Sequence, residues 1–181
     1  MLQLDSFAVC HLLGRSRARD WTKHMTADDF RQLFDYHFAA NRRLWDFSVA
    51  SLTAEQFKQK ATYSVGSVRN QLVHLMNMDQ RWFCALRGEK VPGLLNPVYY
   101  SNRDKLRQYW DVVEAEMREY LQSLQDADLN QTLDDGTRIW QALFHVLNHG
   151  TDHRAQTLAI LDQLGVPTWP QDFVFFLKGK F

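Results

Sequence analysis

The sequence predicts an all-α protein, an antiparallel four-helix bundle with an N-terminal extension and an apolar C-terminal tail. Apolar residues recur at i, i+3, i+4 and i+7, capping residues precede the helical stretches, and glycine or proline follows them. Four helices of about 20 residues or more with modest loops are typical of an antiparallel bundle. The 181 residues suit one domain with a sizeable core. We assign residues 25–181 to the bundle and residues 1–24 to the extension.

The first helix is predicted to begin after Thr26, a good N-cap residue that is followed by acidic side chains at 28 and 29. Its predicted buried face consists of Phe30, Leu33, Phe34, Phe38, Leu44, Trp45, Val49 and Leu52. We expect a turn at residues 53–56 and then a loop.

The second helix is predicted to start after Ser67 and to run to about Arg87, with Gly88 in the position where helices commonly take a left-handed residue. The segment 91–100 contains two prolines and a glycine and is predicted to be a loop.

Residues 101–104 form a variant of the capping box, which predicts a third helix that ends near Leu124. Thr137 is the predicted cap of a fourth helix that ends near Leu164, where Gly165 stops it.

The two ends of the chain differ from the bundle. Residues 1–24 are rich in arginine and stop just before Met25, so they form either an extension over the domain, a leader ahead of a start at Met25, or an arm that binds a partner. The apolar tail 173–177 should pack over the bundle or against another subunit.

The composition argues against several classes of function. Twenty-one basic residues balance 21 acidic ones, which disfavours binding to nucleic acid or to an anionic membrane. Cys10 and Cys84 fit no ligand pattern and are interpreted as incidental thiols. We find no apolar run of about 20 residues and no signal peptide, so we expect a cytoplasmic protein without a membrane partner.

The seven histidines are the informative feature, because His145, His149 and His153 share one side of the fourth helix. Two imidazoles at i and i+4 are a standard way to direct two nitrogens at one metal ion. The intervening residues lack the glutamate of zinc proteases. On a helical wheel His153 lies within the apolar arc, His149 on its margin and His145 about 140° from its centre. The pair His149 and His153 is therefore favoured, with His145 behind it or in solvent.

A third ligand must come from another helix, since two imidazoles under-coordinate a first-row metal ion. His74 is the candidate, at the edge of the apolar stripe of the second helix. An edge position also suits an ordinary core or surface histidine, and two histidines four residues apart also occur by chance.

Three segments together resemble the DinB/YfiT-like superfamily of four-helix metal-binding proteins. Residues 36–44 (YHFAANRRL) are similar to the WANxRL motif, residues 66–75 (GSVRNQLVHL) carry the histidine of the second helix, and residues 145–156 (HVLNHGTDHRAQ) resemble HxxNHxxHHRGQ. The resemblance covers residues 25–166 and implies His74, His149 and His153 as the metal ligands. Asp152 stands in place of a family histidine and Ala155 in place of a glycine.

The resemblance also implies a function. Three imidazoles leave a coordination position open, and zinc or nickel suits a nitrogen-rich ligand set. Relatives include thiol-dependent S-transferases, a maleylpyruvate isomerase and hydrolase-like proteins, so we expect a small-molecule substrate, for instance a low-molecular-weight thiol. His37, Asn41 and Gln156 are candidates to line the site. We expect a homodimer. The alternative function is that of a non-catalytic, metal-stabilised dimeric bundle that acts as a sensor or interaction module.

Overall fold

The computed structural model describes residues 25–181, and this part of the chain is built from helices. The α-helices are α1 (Ala27–Arg43), α2 (Ala54–Lys58), α3 (Val68–Leu86), α4 (Arg103–Ser123), α5 (Ile139–Gln163) and α6 (Phe173–Leu177). Three short 3₁₀ turns cover Val49–Ser51, Pro97–Tyr99 and Asp128–Asn130. Residues 25–181 form no strand, only an isolated bridge between Thr132 and Arg138. The predicted all-α class is confirmed.

The four long helices share one hydrophobic core. α3 packs against α4 and α5, and α1 packs against the same two helices. All four helices supply fully buried apolar side chains, among them Phe30, Phe34, Leu72, Leu75, Phe83, Leu106, Met117 and Leu143. Removing these side chains from water is the main force that holds the helices together. The antiparallel order of the helices stays a prediction.

Thr26 caps α1 as predicted. Its hydroxyl accepts a hydrogen bond from the backbone N–H of Asp29 at 3.2 Å, and the Asp29 carboxylate accepts one from the backbone N–H of Thr26 at 2.8 Å. This reciprocal pair satisfies two N–H groups at the start of the helix and fixes where it begins.

The first α-helix ends earlier than predicted. The sequence predicted helical periodicity as far as Leu52, but α1 ends at Arg43. After Arg43 the chain forms a π-turn at Leu44–Ser48 and a 3₁₀ turn at Val49–Ser51. The guanidinium of Arg103 on α4 donates to the carbonyls of Val49 and Leu52 at 3.0 and 2.6 Å. A side chain distant in sequence therefore satisfies the carbonyls at this helix end.

The expected turn at residues 53–56 is the start of α2. Thr53 accepts from the N–H of Gln56, and the Gln56 amide oxygen accepts from the N–H of Thr53. The turn chemistry is that of a capping box, so a short helix forms. α3 begins after Ser67 as predicted, and Gly88 follows it with a positive φ of 68°.

The caps of the last two long helices lie one residue later than predicted. Asn102, not Ser101, caps α4 by accepting from the N–H of Lys105 at 3.0 Å. Arg138, not Thr137, precedes α5, and its N–H donates to the side-chain oxygen of Gln141 at 2.9 Å.

The C-terminal tail packs over α1. The ring of Tyr36 lies edge-on to those of Phe173, Phe176 and Phe181, with centroids 5.3 to 5.8 Å apart. The Tyr36 hydroxyl also donates to the backbone carbonyl of Gln171. Packing over the bundle is one of the two outcomes expected for this segment.

In the part that the structure describes, none of the helices is long and apolar enough to cross a membrane. The extension at residues 1–24 lies outside the described residues, so its predicted role stays a prediction.

Candidate metal centre

Helices α3 and α5 bring three histidines together at their interface. His74 comes from α3, and His149 and His153 come from successive turns of α5. One ligand nitrogen from each side chain lies within 4.8 Å of the others. The Nε2 atoms of His74 and His149 are 3.0 Å apart, and the His153 ring centroid is 4.4 Å from each of the other two. We call these residues the histidine cluster.

The spacing of the nitrogens fits one ion. Nitrogens bound at about 2.0–2.1 Å to a common ion lie roughly 3.3–3.4 Å from each other at the tetrahedral angle. The 3.0 Å separation of the His74 and His149 nitrogens is a few tenths of an ångström shorter than this. Without an ion, one of these two imidazoles can donate to the other at this distance, and an ion between them would instead take the lone pairs of both. The residues present therefore suit a divalent metal ion.

The electrostatics of the cluster keep its imidazoles neutral. Burial, reinforced by His153 and His74, lowers the pKa of His149 to about 4. Burial also lowers the pKa of His74, with a further contribution from His153, and burial lowers that of His153. The negative charge of Asp79 opposes the shifts at His74 and His149. At neutral pH the three rings are uncharged, so protons compete little for their lone pairs.

Gln71, one turn before His74 on α3, orients His153. Its Oε1 atom lies 2.8 Å from Nδ1 of His153, and the side chain is fully buried. An amide oxygen only accepts, so Nδ1 carries the proton and Nε2 is the free nitrogen of the ring. This is the usual outer contact of a metal-binding histidine.

Two residues of α5 extend the hydrogen bond between His153 and Gln71. Gln71 Nε2 donates to Gln156 Oε1 at 3.1 Å, and Gln156 Nε2 donates to a carboxylate oxygen of Asp152 at 3.0 Å. The predicted site-lining residue Gln156 is thus connected to His153 through Gln71. We call the series from His153 through Gln71 and Gln156 to Asp152 the amide chain.

His37 and Asn41, the other predicted lining residues, lie in a buried network around Arg154. Arg154 Nη1 donates to Nδ1 of His37 at 3.1 Å and to Oδ1 of Asn41 at 3.0 Å. The opposite nitrogen of His37 lies 3.3 Å from Oδ2 of Asp79. All four side chains are buried, and we call them the Arg154 network. The imidazole of His37 therefore lies between the buried guanidinium of Arg154 and the buried carboxyl group of Asp79.

The C-terminal segment closes this network from outside. Gln171 accepts from Nε of Arg154 at 3.1 Å, and Thr151 accepts from Nη2 of Arg154 at 3.1 Å. Burial lowers the pKa of Arg154, and Tyr36 and Asp79 counter that shift. The network joins α1, α3, α5 and the tail at one point beside the histidine cluster.

His145 lies at the edge of the histidine cluster. It is exposed, its ring centroid is 5.8 Å from that of His149, and it is 4.8 Å from the ring of Trp82. It is absent from the group of three that could share an ion. The helical wheel put His145 about 140° from the centre of the apolar arc, and the structure leaves it exposed.

Several residues of this region were not foreseen. Gln71 was detectable, because it is an amide on the buried face of α3 one turn from His74. Arg154 was also detectable, because it directly follows His153 in the motif of residues 145–156. Asp79 and Gln171 carried no sequence signal, because their partners are 42 and 17 residues away. Cys84 is buried, and burial raises the pKa of its thiol, which fits an incidental thiol.

The fold and site define a class of protein: a helical bundle with three histidines at the interface of two long helices. The model of the DinB family matches residues 20–180, and the chain belongs to this family. Protein DinB of Bacillus subtilis (strain 168) is 26% identical over 164 residues, which cover 81% of this chain and 92% of that protein. A DinB-like protein from Bacillus cereus ATCC 10987 has a crystal structure with a TM-score of 0.63 at 20% identity, covering 80% of this chain and 97% of that one.

Proposed function

We propose that His74, His149 and His153 bind one divalent metal ion, zinc or nickel, and that the protein is a metal-dependent enzyme that acts on small molecules. The observation that carries the proposal is the convergence of three nitrogens from two helices within 4.8 Å. Three neutral imidazoles leave a fourth coordination position for water or substrate, as in catalytic rather than structural sites.

A metal ion held there supplies Lewis acidity, which lowers the pKa of a bound water or thiol. The proposed reactions are a thiol S-transfer, with a low-molecular-weight thiol as substrate, or a hydrolysis. The three histidines are partly exposed, so a small molecule reaches them from solvent. Gln71 holds the ring of His153, and the ring pair of Trp82 and His145 lies beside His149.

The metal content of purified protein tests the first half of the proposal. We expect about one equivalent of zinc or nickel in the wild type and much less in His74→Ala, His149→Ala and His153→Ala. His145→Ala is the matched control, because it removes an imidazole from the same helix outside the group of three. Equal metal content in all five proteins contradicts a three-histidine site.

Turnover tests the second half. Metal-loaded protein is incubated with low-molecular-weight thiols and electrophiles, and with ester and amide substrates. We expect product formation that His149→Ala lacks and His145→Ala retains. Metal binding without turnover above the His149→Ala control rejects the enzyme and leaves the metal site in place.

The alternative is a non-catalytic homodimer stabilised by metal, and the exposed apolar residues of the tail favour it. Val174 and Leu177 are 45% and 52% exposed, whereas Phe175 and Phe176 are half-buried in the chain itself. In sedimentation experiments the alternative predicts a dimer that Leu177→Glu dissociates and Lys178→Glu, an adjacent exposed change, does not. A monomeric wild type rejects the alternative.

A further inference from the structure

The amide chain has a direction. An amide donates from its nitrogen and accepts at its oxygen, so two amides in series can be arranged in two ways that keep the same side chains in contact and exchange oxygen for nitrogen. In the arrangement of the structure, Gln156 donates to Asp152, Gln71 donates to Gln156, and the Nδ1–H of His153 donates to Gln71. In the reversed arrangement both amides turn over and every donor becomes an acceptor.

The two directions differ at His153. In the observed direction Nδ1 carries the proton and Nε2 has the lone pair. In the reversed direction Gln71 Nε2 donates to Nδ1, so the proton of the neutral ring moves to Nε2 and blocks that nitrogen as a ligand. Gln71 has no exposed surface, so water does not compete for its amide. The direction of the amide chain is therefore decided at its exposed end, at Asp152.

We propose that Asp152 sets this direction and thereby holds His153 in the tautomer that binds metal through Nε2. A carboxylate oxygen only accepts, so it selects the arrangement in which Gln156 donates to it. The inference rests on the proposed metal site, but its first prediction concerns metal-free protein.

Asp152→Lys is the decisive variant, because an ammonium only donates and therefore selects the reversed direction. Asp152 is exposed on α5, so the substitution leaves the core untouched. Asp162→Lys is the matched control, since it makes the same charge change at an exposed position of the same helix outside the amide chain.

The direct readout is the tautomer of His153 in metal-free protein, measured by long-range ¹H–¹⁵N correlation NMR and assigned with His153→Gln. We expect the Nδ1–H form in the wild type and in Asp162→Lys, and a shift to the Nε2–H form in Asp152→Lys. An unchanged His153 in Asp152→Lys overturns the proposal, as does an equal shift in Asp162→Lys.

A double-substitution cycle separates the amide chain from the direct field of the introduced charge. Gln156→Leu interrupts the amide chain and leaves Asp152 in place. In the Gln156→Leu background, Asp152→Lys should no longer change the tautomer. A full shift in that background means that the charge acts through space, and it overturns the proposal.

Affinity for Zn²⁺, measured by competition with a chelator, provides the second readout. We expect Asp152→Lys to bind about tenfold more weakly than Asp162→Lys, the usual scale for an outer-shell contact. A tautomer switch in a protein that binds no metal rejects the proposed function and keeps only the part of this inference in which Asp152 sets the tautomer of His153. Metal binding without a tautomer switch rejects this inference and keeps the proposed metal site.

Discussion

His37 lies against Gly150, so close that a β-carbon at position 150 would be 2.5 Å from the Cε1 atom of the imidazole. The contact brings α1 and α5 together where the Arg154 network passes between them. His37 has no exposed surface and is held at both nitrogens, so it has little freedom to retreat. Gly150 is therefore required for this helix contact.

Gly150→Ala is expected to lower the free energy of unfolding by about 1–3 kcal/mol, the range for overpacking a buried contact. At an exposed helical position the same change would stabilise by about 1 kcal/mol through helix propensity. Urea denaturation of metal-free protein measures the difference. Ala159→Gly, at an exposed position of α5, calibrates the propensity effect. A Gly150→Ala protein as stable as the wild type means that the contact tolerates a methyl group.

The Arg154 network is expected to behave as a buried charge pair linked by an imidazole. Arg154→Met or Asp79→Leu alone should cost about 3–5 kcal/mol, because each leaves a buried charge without its partner. The double variant should lose less than the sum of the two single losses. Urea denaturation measures all three, and additive losses contradict coupling through His37.

An exposed ion pair supplies the comparison for this cycle. Arg31 and Asp28 form a 2.7 Å pair whose side chains are 33% and 87% exposed. Asp28→Asn is expected to change stability by less than about 1 kcal/mol, because water screens the pair. Similar losses of stability in Asp28→Asn and Asp79→Leu would mean that burial does not make the Arg154 network contribute more than an exposed ion pair.

Metal is expected to stabilise the folded protein by mass action. At a free ion concentration one hundred times the dissociation constant the gain is about 2.7 kcal/mol, provided that the unfolded chain does not bind. Calorimetry with and without Zn²⁺ measures the rise in melting temperature, which EDTA should reverse. The rise should be absent in His153→Ala and present in His145→Ala. A rise that survives in His153→Ala points to binding elsewhere.

The metal-free protein is expected to lose stability as the pH falls below neutrality. Histidine in an unfolded chain has a pKa of about 6.5, and that of His149 in the folded protein is about 4. Between these values the unfolded chain binds more protons, so this contribution is full above pH 6.5 and is lost as the pH falls to about 4. The free energy of unfolding should decline over this range, measured by urea denaturation at several pH values.

Substitution at His149 provides the check. His149→Gln removes one of the titrating groups, so its stability should decline less steeply than that of the wild type between pH 6.5 and 4. Asn148→Gln changes the adjacent exposed residue and should keep the wild-type slope. Parallel curves for the wild type and His149→Gln would mean that His149 titrates normally.

The helices were predictable because their signals are local. Thr26 and Ser67 cap the helices that follow them, and the apolar residues at helical spacing form the core. The first helix was predicted too long, because its end depends on Arg103, more than 50 residues away. The caps at 102 and 138 were misplaced by one residue, since neighbouring polar residues compete for the same role.

The sequence by itself determined the all-α class, the helical face that carries His149 and His153, and the family resemblance, because periodicity and motifs depend on residues close together in the chain. Only the tertiary structure brought His74 to within 3.0 Å of His149 and joined Gln71 to His153. Only the tertiary structure gathered His37, Asp79 and Arg154 into one buried network. These contacts depend on how the helices pack and rotate against each other, which is set by the whole core rather than by any one segment.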